Sequence, residues 1–277
     1  MQARRLRFGL STLLGFSKRG FFIPYRYADQ VPARKDRAPY EALEPIFADA
    51  AETFAALLKS MTPYAEAFRA IGGPPPEPRW EQDWFPRLDA AALYVFVRET
   101  NPARIVEVGS GHSTRFMARA IRDAGLSTAI TAIDPAPRAD IEGTGATLIR
   151  RTVQGAGLTP FTQLTPGDIL FIDSSHILMP GTDVDILFNH VLPSLKPGVL
   201  VHVHDIFLPH DYPAAWEWRG YNEQLGIAGL IQGRGYRLLW SSHYALTHMP
   251  VAVAGSVART LPLKEGAIES SLWMVKA

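Results

Sequence analysis

The stretch that decides the fold is Ile105-Val106-Glu107-Val108-Gly109-Ser110-Gly111-His112-Ser113-Thr114. An apolar run ends on Gly109, a second glycine follows two residues later, and helical spacing opens at Ser113. Glycines at such a strand-to-helix turn let the backbone bend sharply and come close to a ligand. The free N–H groups and positive end of the helix that follows attract an anion, phosphate or carboxylate. The same glycine pattern also occurs as a plain tight turn, so its neighbours carry weight. Thr114 stands where a dinucleotide-binding turn needs Gly or Ala for close helix–strand packing. Glu107 ends an otherwise apolar strand; it can accept hydrogen bonds from backbone or from an ammonium group, or simply face solvent. Asp134 closes the next strand, where an acid would meet two ribose hydroxyls. It can serve at the same time as the turn residue before Pro135.

Outward from this unit the pattern alternates. Helices are expected over 88–100, 113–124 and 183–195, and strands over 104–108, 129–133, 147–150, 169–172 and 199–203. Such alternation specifies a Rossmann-like, doubly wound α/β sheet that is mostly parallel. Two last strands, over 236–241 and 271–275, are separated by a loop with no strong helix and read as a C-terminal antiparallel pair. Upstream, residues 39–60 have the spacing of one long amphipathic helix and 63–71 of a shorter one. Gly72-Gly73-Pro74-Pro75-Pro76 then breaks the chain. This places an N-terminal arm and helical extension over 1–76 and a catalytic domain over 77–277. At the start, Arg4, Arg5 and Arg7 precede a short apolar run, but Ser17-Lys18-Arg19 follows at once, with no small-residue cleavage site. The run is too short to span a bilayer. It reads as an ordered or frayed arm; the alternative is a basic amphipathic segment that touches a membrane surface or a partner.

The 277 residues, 47% hydrophobic and 20% charged, can fill one large core. A net charge of +1 gives no ground for nucleic acid or an acidic membrane as partner of the chain as a whole. The absence of cysteine excludes disulfides, thiolate metal sites and thiol nucleophiles. It leaves the compartment open, with the cytoplasm as default.

Three motifs, "VEVGSGHST" at 106–114, "GDILFIDSSH" at 167–176 and "LKPGVLVHVHDIFLP" at 195–209, resemble class-I methyltransferases that use S-adenosylmethionine. More narrowly, they resemble the family-24 group of small-molecule methyltransferases, from about residue 84 onward. The resemblance implies that Gly109, Ser110 and Gly111 approach the methionine part of the cofactor and that Glu107 lies beneath it. It implies ribose binding by Asp134, places Ser113 and Asp173 in the same cofactor set, and puts Arg151–Gln154 at the adenine edge by position alone.

Methyl transfer from a sulfonium needs in-line placement of the acceptor and removal of its proton if it is a hydroxyl. The carboxyl edge of the sheet offers Asp173-Ser174-Ser175-His176 and His202-Val203-His204-Asp205. His176 stands three residues past Asp173, where catechol-type relatives carry a lysine base. It can be neutral near pH 7, or be a helix-start or surface histidine. His204 is a second base, or polarises the acceptor with Asp205; His202 is deeper and structural. Some relatives bind a divalent ion through an acid after strand four and an acidic or amide pair after strand five. Here that set is Asp173, His204 and Asp205, whose histidine suits Mn²⁺, Fe²⁺ or Zn²⁺ better than Mg²⁺.

The aromatic, irregular segment 207–218, with Tyr221 to Gln224, reads as a lid or substrate wall. Trp216 and Trp218 could equally be ordinary packing, and Trp80, Trp84 and Phe85 raise the same question. The expected activity is O-methylation of a small hydroxylated metabolite or sugar, the oxygen acceptor resting on family analogy alone. The alternatives are a nicotinamide-dependent oxidoreductase, against which Thr114 and the lack of a Tyr-x-x-x-Lys pair argue, and a non-catalytic cofactor-binding module. The partner is a small-molecule acceptor; homo-oligomerisation is left open.

Overall fold

The computed structural model describes residues 2–277, and the side chains from residue 6 onward. Arg4 and Arg5, at the front of the basic segment, therefore lie outside the described side chains. The chain forms two compact units, residues 1–37 and 38–277. The first holds the α-helix α1 (Gln2–Leu13) and two single 3-10 turns, Ala28–Gln30 and Arg34–Asp36. The chain then turns back, with Ser17 N–H donating to the Ser11 carbonyl and Arg19 N–H to Thr12 Oγ1.

In the second unit, seven strands form one sheet in the order β3-β2-β1-β4-β5-β7-β6. They are β1 (Arg104–Val108), β2 (Ala129–Ile133), β3 (Thr147–Ile149), β4 (Ile169–Ile172), β5 (Leu200–Val203), β6 (Tyr236–Ser241) and β7 (Leu272–Lys276). The first five are parallel, and β7 runs antiparallel to both β5 and β6. This is the expected mostly parallel sheet with a C-terminal antiparallel pair. Strands β4 and β5 are buried at every position, which is why they read as continuous apolar runs rather than alternating ones. Among the described residues, no helix is long and apolar enough to cross a membrane.

Several helices differ from the sequence pattern. The long helix expected over 39–60 is two, α2 (Glu44–Asp49) and α3 (Ala51–Ser60). They meet at Ala50, whose N–H bonds the Phe47 carbonyl three residues back and tightens the turn. The break leaves both Phe47 and Phe54 buried, Phe54 edge-on to Trp240 of β6 at 5.9 Å. After α4 (Ala65–Arg69), α5 (Arg87–Thr100) and α6 (His112–Ala124) fall close to expectation. Two short turns, α7 (Val153–Ala156) and α8 (Thr159–Thr162), lead to β4. The helix expected over 183–195 is α-helical only in α9 (Asp183–Ile186), then widens over Leu187–Val191. Glu223–Gln232 is a further helix, α10. The link between the last strands is helical too, in α11 (Ser242–His248) and α12 (Pro250–Ala254). The Ser241 hydroxyl caps α11 through Tyr244 N–H, a start signal of the usual kind. The expected plain loop there is corrected.

Candidate active site

At the carboxyl ends of four strands, the next residue continues the ladder. Gly109 N–H bonds Ile133 O, Asp134 N–H bonds Ile149 O, Asp173 N–H bonds Val108 O and His204 N–H bonds Ile172 O. The chain reverses its strand order between β1 and β4, and ligands of open α/β sheets sit at that switch point. Gly109 and Asp173 abut there: a Cβ on Gly109, at φ +82°, would stand 2.4 Å from the Asp173 carbonyl oxygen. Gly109 is therefore required by both backbone conformation and close approach. Gly111 is extended, and its Cβ would meet nothing nearer than 3.8 Å, so only the first glycine is demanded by the fold itself.

The glycine loop is tied down by acids on either side. Glu107, fully buried, accepts from Ser113 Oγ at 2.5 Å and Thr114 Oγ1 at 2.6 Å. Thr114 Oγ1 in turn accepts from Gly111 N–H at 2.9 Å. Burial pushes the Glu107 carboxyl up to about 8, against the pull of the two hydroxyls. Asp134 accepts from Ser110 N–H and Ser110 Oγ through one oxygen and from Ala136 N–H through the other. It is thus the turn residue before Pro135 and the anchor of the loop at once. His112 opens α6 with a buried Nδ1 that has no partner. Burial, with Arg115 and Arg79 adding to it, lowers its ring to about 4 and keeps it neutral. An unpartnered polar atom at a helix start is a place where a polar ligand would find a partner.

Across the switch point lies a network of histidines and carboxylates. His176 is 4% exposed at φ +60°, its Nδ1 2.9 Å from Glu223 Oε2. Its Nε2 lies 3.3 Å from Asp173 Oδ1 and 3.5 Å from Asp205 Oδ2. His204 has Nε2 3.3 Å from Asp89 Oδ2, and Nδ1 3.7 Å from Asp173 and 3.6 Å from Asp205. Burial alone would lower both rings. For His176 the Asp173 and Glu223 bonds outweigh it, and for His204 the Asp205 charge with the Asp173 and Asp89 bonds, so both rings rise well above the ordinary histidine range. Burial raises Asp173, but the two imidazoles hold it below the usual carboxylate range. Its side chain, 43% exposed, is the open member of the group.

The geometry gathers the expected His176, His204, Asp205 and Asp173 into one cluster. His202, by contrast, stacks on Phe171 at 3.7 Å and shares a contact with Ser271 Oγ at 2.8 Å. Burial drives its ring well below the ordinary range. Asp173, His204 and Asp205 spend their facing atoms on ion pairs with one another and with His176. Among the described residues, no group of three or more His, Asp or Glu side chains is arranged to hold a metal ion. The metal set implied by the resemblance does not fit a resident ion in this conformation.

Sequence reasoning did not assign Asp89 or Glu223, the acids behind the two histidines. Each is fully buried near the start of a helix, a hint that a pattern of residue types does carry, but their partners lie 115 and 47 residues away. Phe85 is buried against His204 at 5.5 Å, and Trp80 donates Nε1 to Phe68 O. Tyr221 covers His176 at 4.5 Å. Trp216 and Trp218 bracket the Arg219 guanidinium at 3.9 and 5.5 Å, and an Arg219 terminal nitrogen stands 3.9 Å from Asp205.

Residues 106–206 match the family model described as a methyltransferase domain. That stretch is a class-I, family-24-type methyltransferase domain. No curated protein matches the chain. Among solved structures, it is similar to a methyltransferase of Podospora anserina bound to S-adenosylhomocysteine, at 14% identity and TM-score 0.43, over 93% of this chain and 99% of the other. It is also similar to a putative O-methyltransferase from Klebsiella pneumoniae, at 14% identity and TM-score 0.43, over 80% and 90%. An O-methyltransferase from Bacillus cereus in complex with S-adenosylhomocysteine gives 12% and 0.43, over 80% and 91%. The matched segment contains the glycine loop and Asp173, His176, His204 and Asp205, while Asp89 and Glu223 lie outside it.

Proposed function

We propose that this methyltransferase domain uses S-adenosylmethionine and methylates a hydroxyl group of a small metabolite or sugar. The observation that carries the reading is the juxtaposition at Gly109 and Asp173 of an anchored loop with an unpartnered polar atom and a cluster of bases. Gly109, Ser110, Gly111 and Ser113 line the methionine side, with Glu107 beneath, while Asp134 takes the ribose and Asp173 closes the cofactor side. S-adenosylmethionine, when bound, supplies the methyl group on its sulfonium. Glu107, raised by burial, gains a reason to ionise when an ammonium group approaches.

Around the acceptor, Asp173 is the exposed carboxylate and His176, His204 and Asp205 stand behind it. Asp89 and Glu223 hold the two imidazoles, so the rings keep their orientation as charge moves. The acceptor's proton passes to the Asp173 carboxylate, the open member of the group, rather than to a histidine, because the His176 and His204 rings already carry their protons. Tyr221 and the 207–219 segment wall the same place. Residues 77–277 form the catalytic domain in this reading, with α3 packed against β6 and α5.

Calorimetric titration with S-adenosylhomocysteine, run beside NAD⁺, tests the cofactor class. Binding of the first with a micromolar Kd, and none of the second, supports the proposal. NAD⁺ binding without S-adenosylhomocysteine binding overturns it in favour of redox chemistry.

A further inference from the structure

Residues 1–37 differ from the rest of the surface in two ways. Among the described residues, seventeen large apolar side chains are exposed, and eleven of them fall between Leu6 and Val31. The other six are scattered singly from Trp84 to Leu263. Charge is skewed as well: residues 1–37 carry nine Lys or Arg against Asp29 and Asp36, a net +7, and no acid precedes Asp29. With +1 for the whole chain, residues 38–277 are left at −6.

The two properties share one surface. Leu6, Leu10 and Leu13 recur at helical spacing along one side of α1, Leu14 follows just past its end, and all four are 48–64% exposed. Phe16, 81% exposed, and Phe22, 66% exposed, follow just beyond the turn. The cations lie over aromatic rings: Arg7 over Phe8 at 5.6 Å, Lys18 over Phe21 at 5.1 Å and Arg26 over Tyr27 at 5.5 Å. Cations on long stems beside exposed apolar rings let the rings enter an apolar phase while the charges stay at its wet boundary.

From these observations we infer that residues 1–27 dock onto the surface of an anionic phospholipid bilayer. The leucine side of α1 and the aromatic residues after it enter the headgroup boundary, and the cations meet lipid phosphates. A second copy of the segment fits less well, since the pairing would set +7 against +7.

The test is flotation of the full chain with vesicles of phosphatidylcholine containing phosphatidylglycerol, against phosphatidylcholine alone. Binding is expected only with the anionic lipid, and weaker by roughly tenfold or more at high salt, because screening acts within about 10 Å. The variant with Arg7, Lys18, Arg19 and Arg26 all changed to Gln should lose about 100-fold or more. Leu10→Ser with Leu13→Ser should lose about tenfold, through lost apolar burial. Arg237→Gln, on the exposed face of β6, serves as a control that should bind as the parent does. Failure to float with the anionic vesicles, or equal flotation with both, overturns the proposal. So does sedimentation showing that the leucine variant loses self-association while lipid binding is unchanged. Binding of S-adenosylhomocysteine, measured on the same variants, reports separately on the methyltransferase reading.

Discussion

The glycine loop after β1 and the histidine–carboxylate cluster after β4 and β5 touch at one point, yet they are built on opposite plans. The loop is closed by short-range bonds within one βα unit and its neighbour strand: Glu107 to Ser113 and Thr114, Asp134 to Ser110. The cluster is closed by partners drawn from α5, α10 and two strand ends. The loop leaves His112 Nδ1 without a partner, whereas the cluster leaves almost nothing open except Asp173. In the proposed reading, the one holds the cofactor and the other moves charge.

That division breaks most readily at His176. His176→Gln should lower turnover by about 10²–10⁴ and leave S-adenosylhomocysteine affinity within roughly threefold. A comparable loss of affinity would merge the two regions into one. Asp134→Ala should do the converse, weakening S-adenosylhomocysteine by about 100-fold in calorimetry, since three hydrogen bonds to one carboxylate disappear. Gly109→Ala strikes the junction: the strained φ and the clash with Asp173 O should cost about 2–4 kcal/mol in denaturant unfolding. An unchanged midpoint would mean that the two loops can separate freely.

The smallest effect is expected at Glu107. A carboxyl raised by burial stabilises the fold while protonated, fully so below the ordinary carboxylate range, and loses that contribution as pH rises through about 8. The histidines of the cluster act in the same direction at higher pH, since their raised rings stabilise most when charged. Glu107→Gln should therefore flatten the fall of Tm between about pH 5 and pH 8 without touching the fall above it. If the slope is unchanged, the loop does not store that cost and the alkaline fall belongs to the cluster alone.

The contrast also explains what could be read from the chain. Strand ends and the glycine turn are local, so apolar runs and residue order mark them, and the bonds of Glu107 and Asp134 to the loop also join residues no more than 24 apart. Asp173, His176, His204 and Asp205 were legible as candidates because each follows β4 or β5 within four residues. Their mutual contacts were not, nor were Asp89 and Glu223, because no spacing rule links residue 89 to 204 or 176 to 223. The same limit split the helix at Ala50 and hid α11, where a serine cap and tertiary packing decide rather than a long period.

One further contact set bears on how the enzyme comes into being. Asp89, which holds His204, is itself held by the N–H groups of Ser270 and Ser271, and Glu269 grips Arg87 and the Leu88 N–H. Residues more than 180 apart in sequence thus meet beside His204. During synthesis, the βα units of the glycine loop can form from local contacts, but Asp89 lacks the backbone donors that hold it until residues 270 and 271 have emerged. The support behind His204 is therefore a late acquisition of the chain, although Asp89 itself is made early.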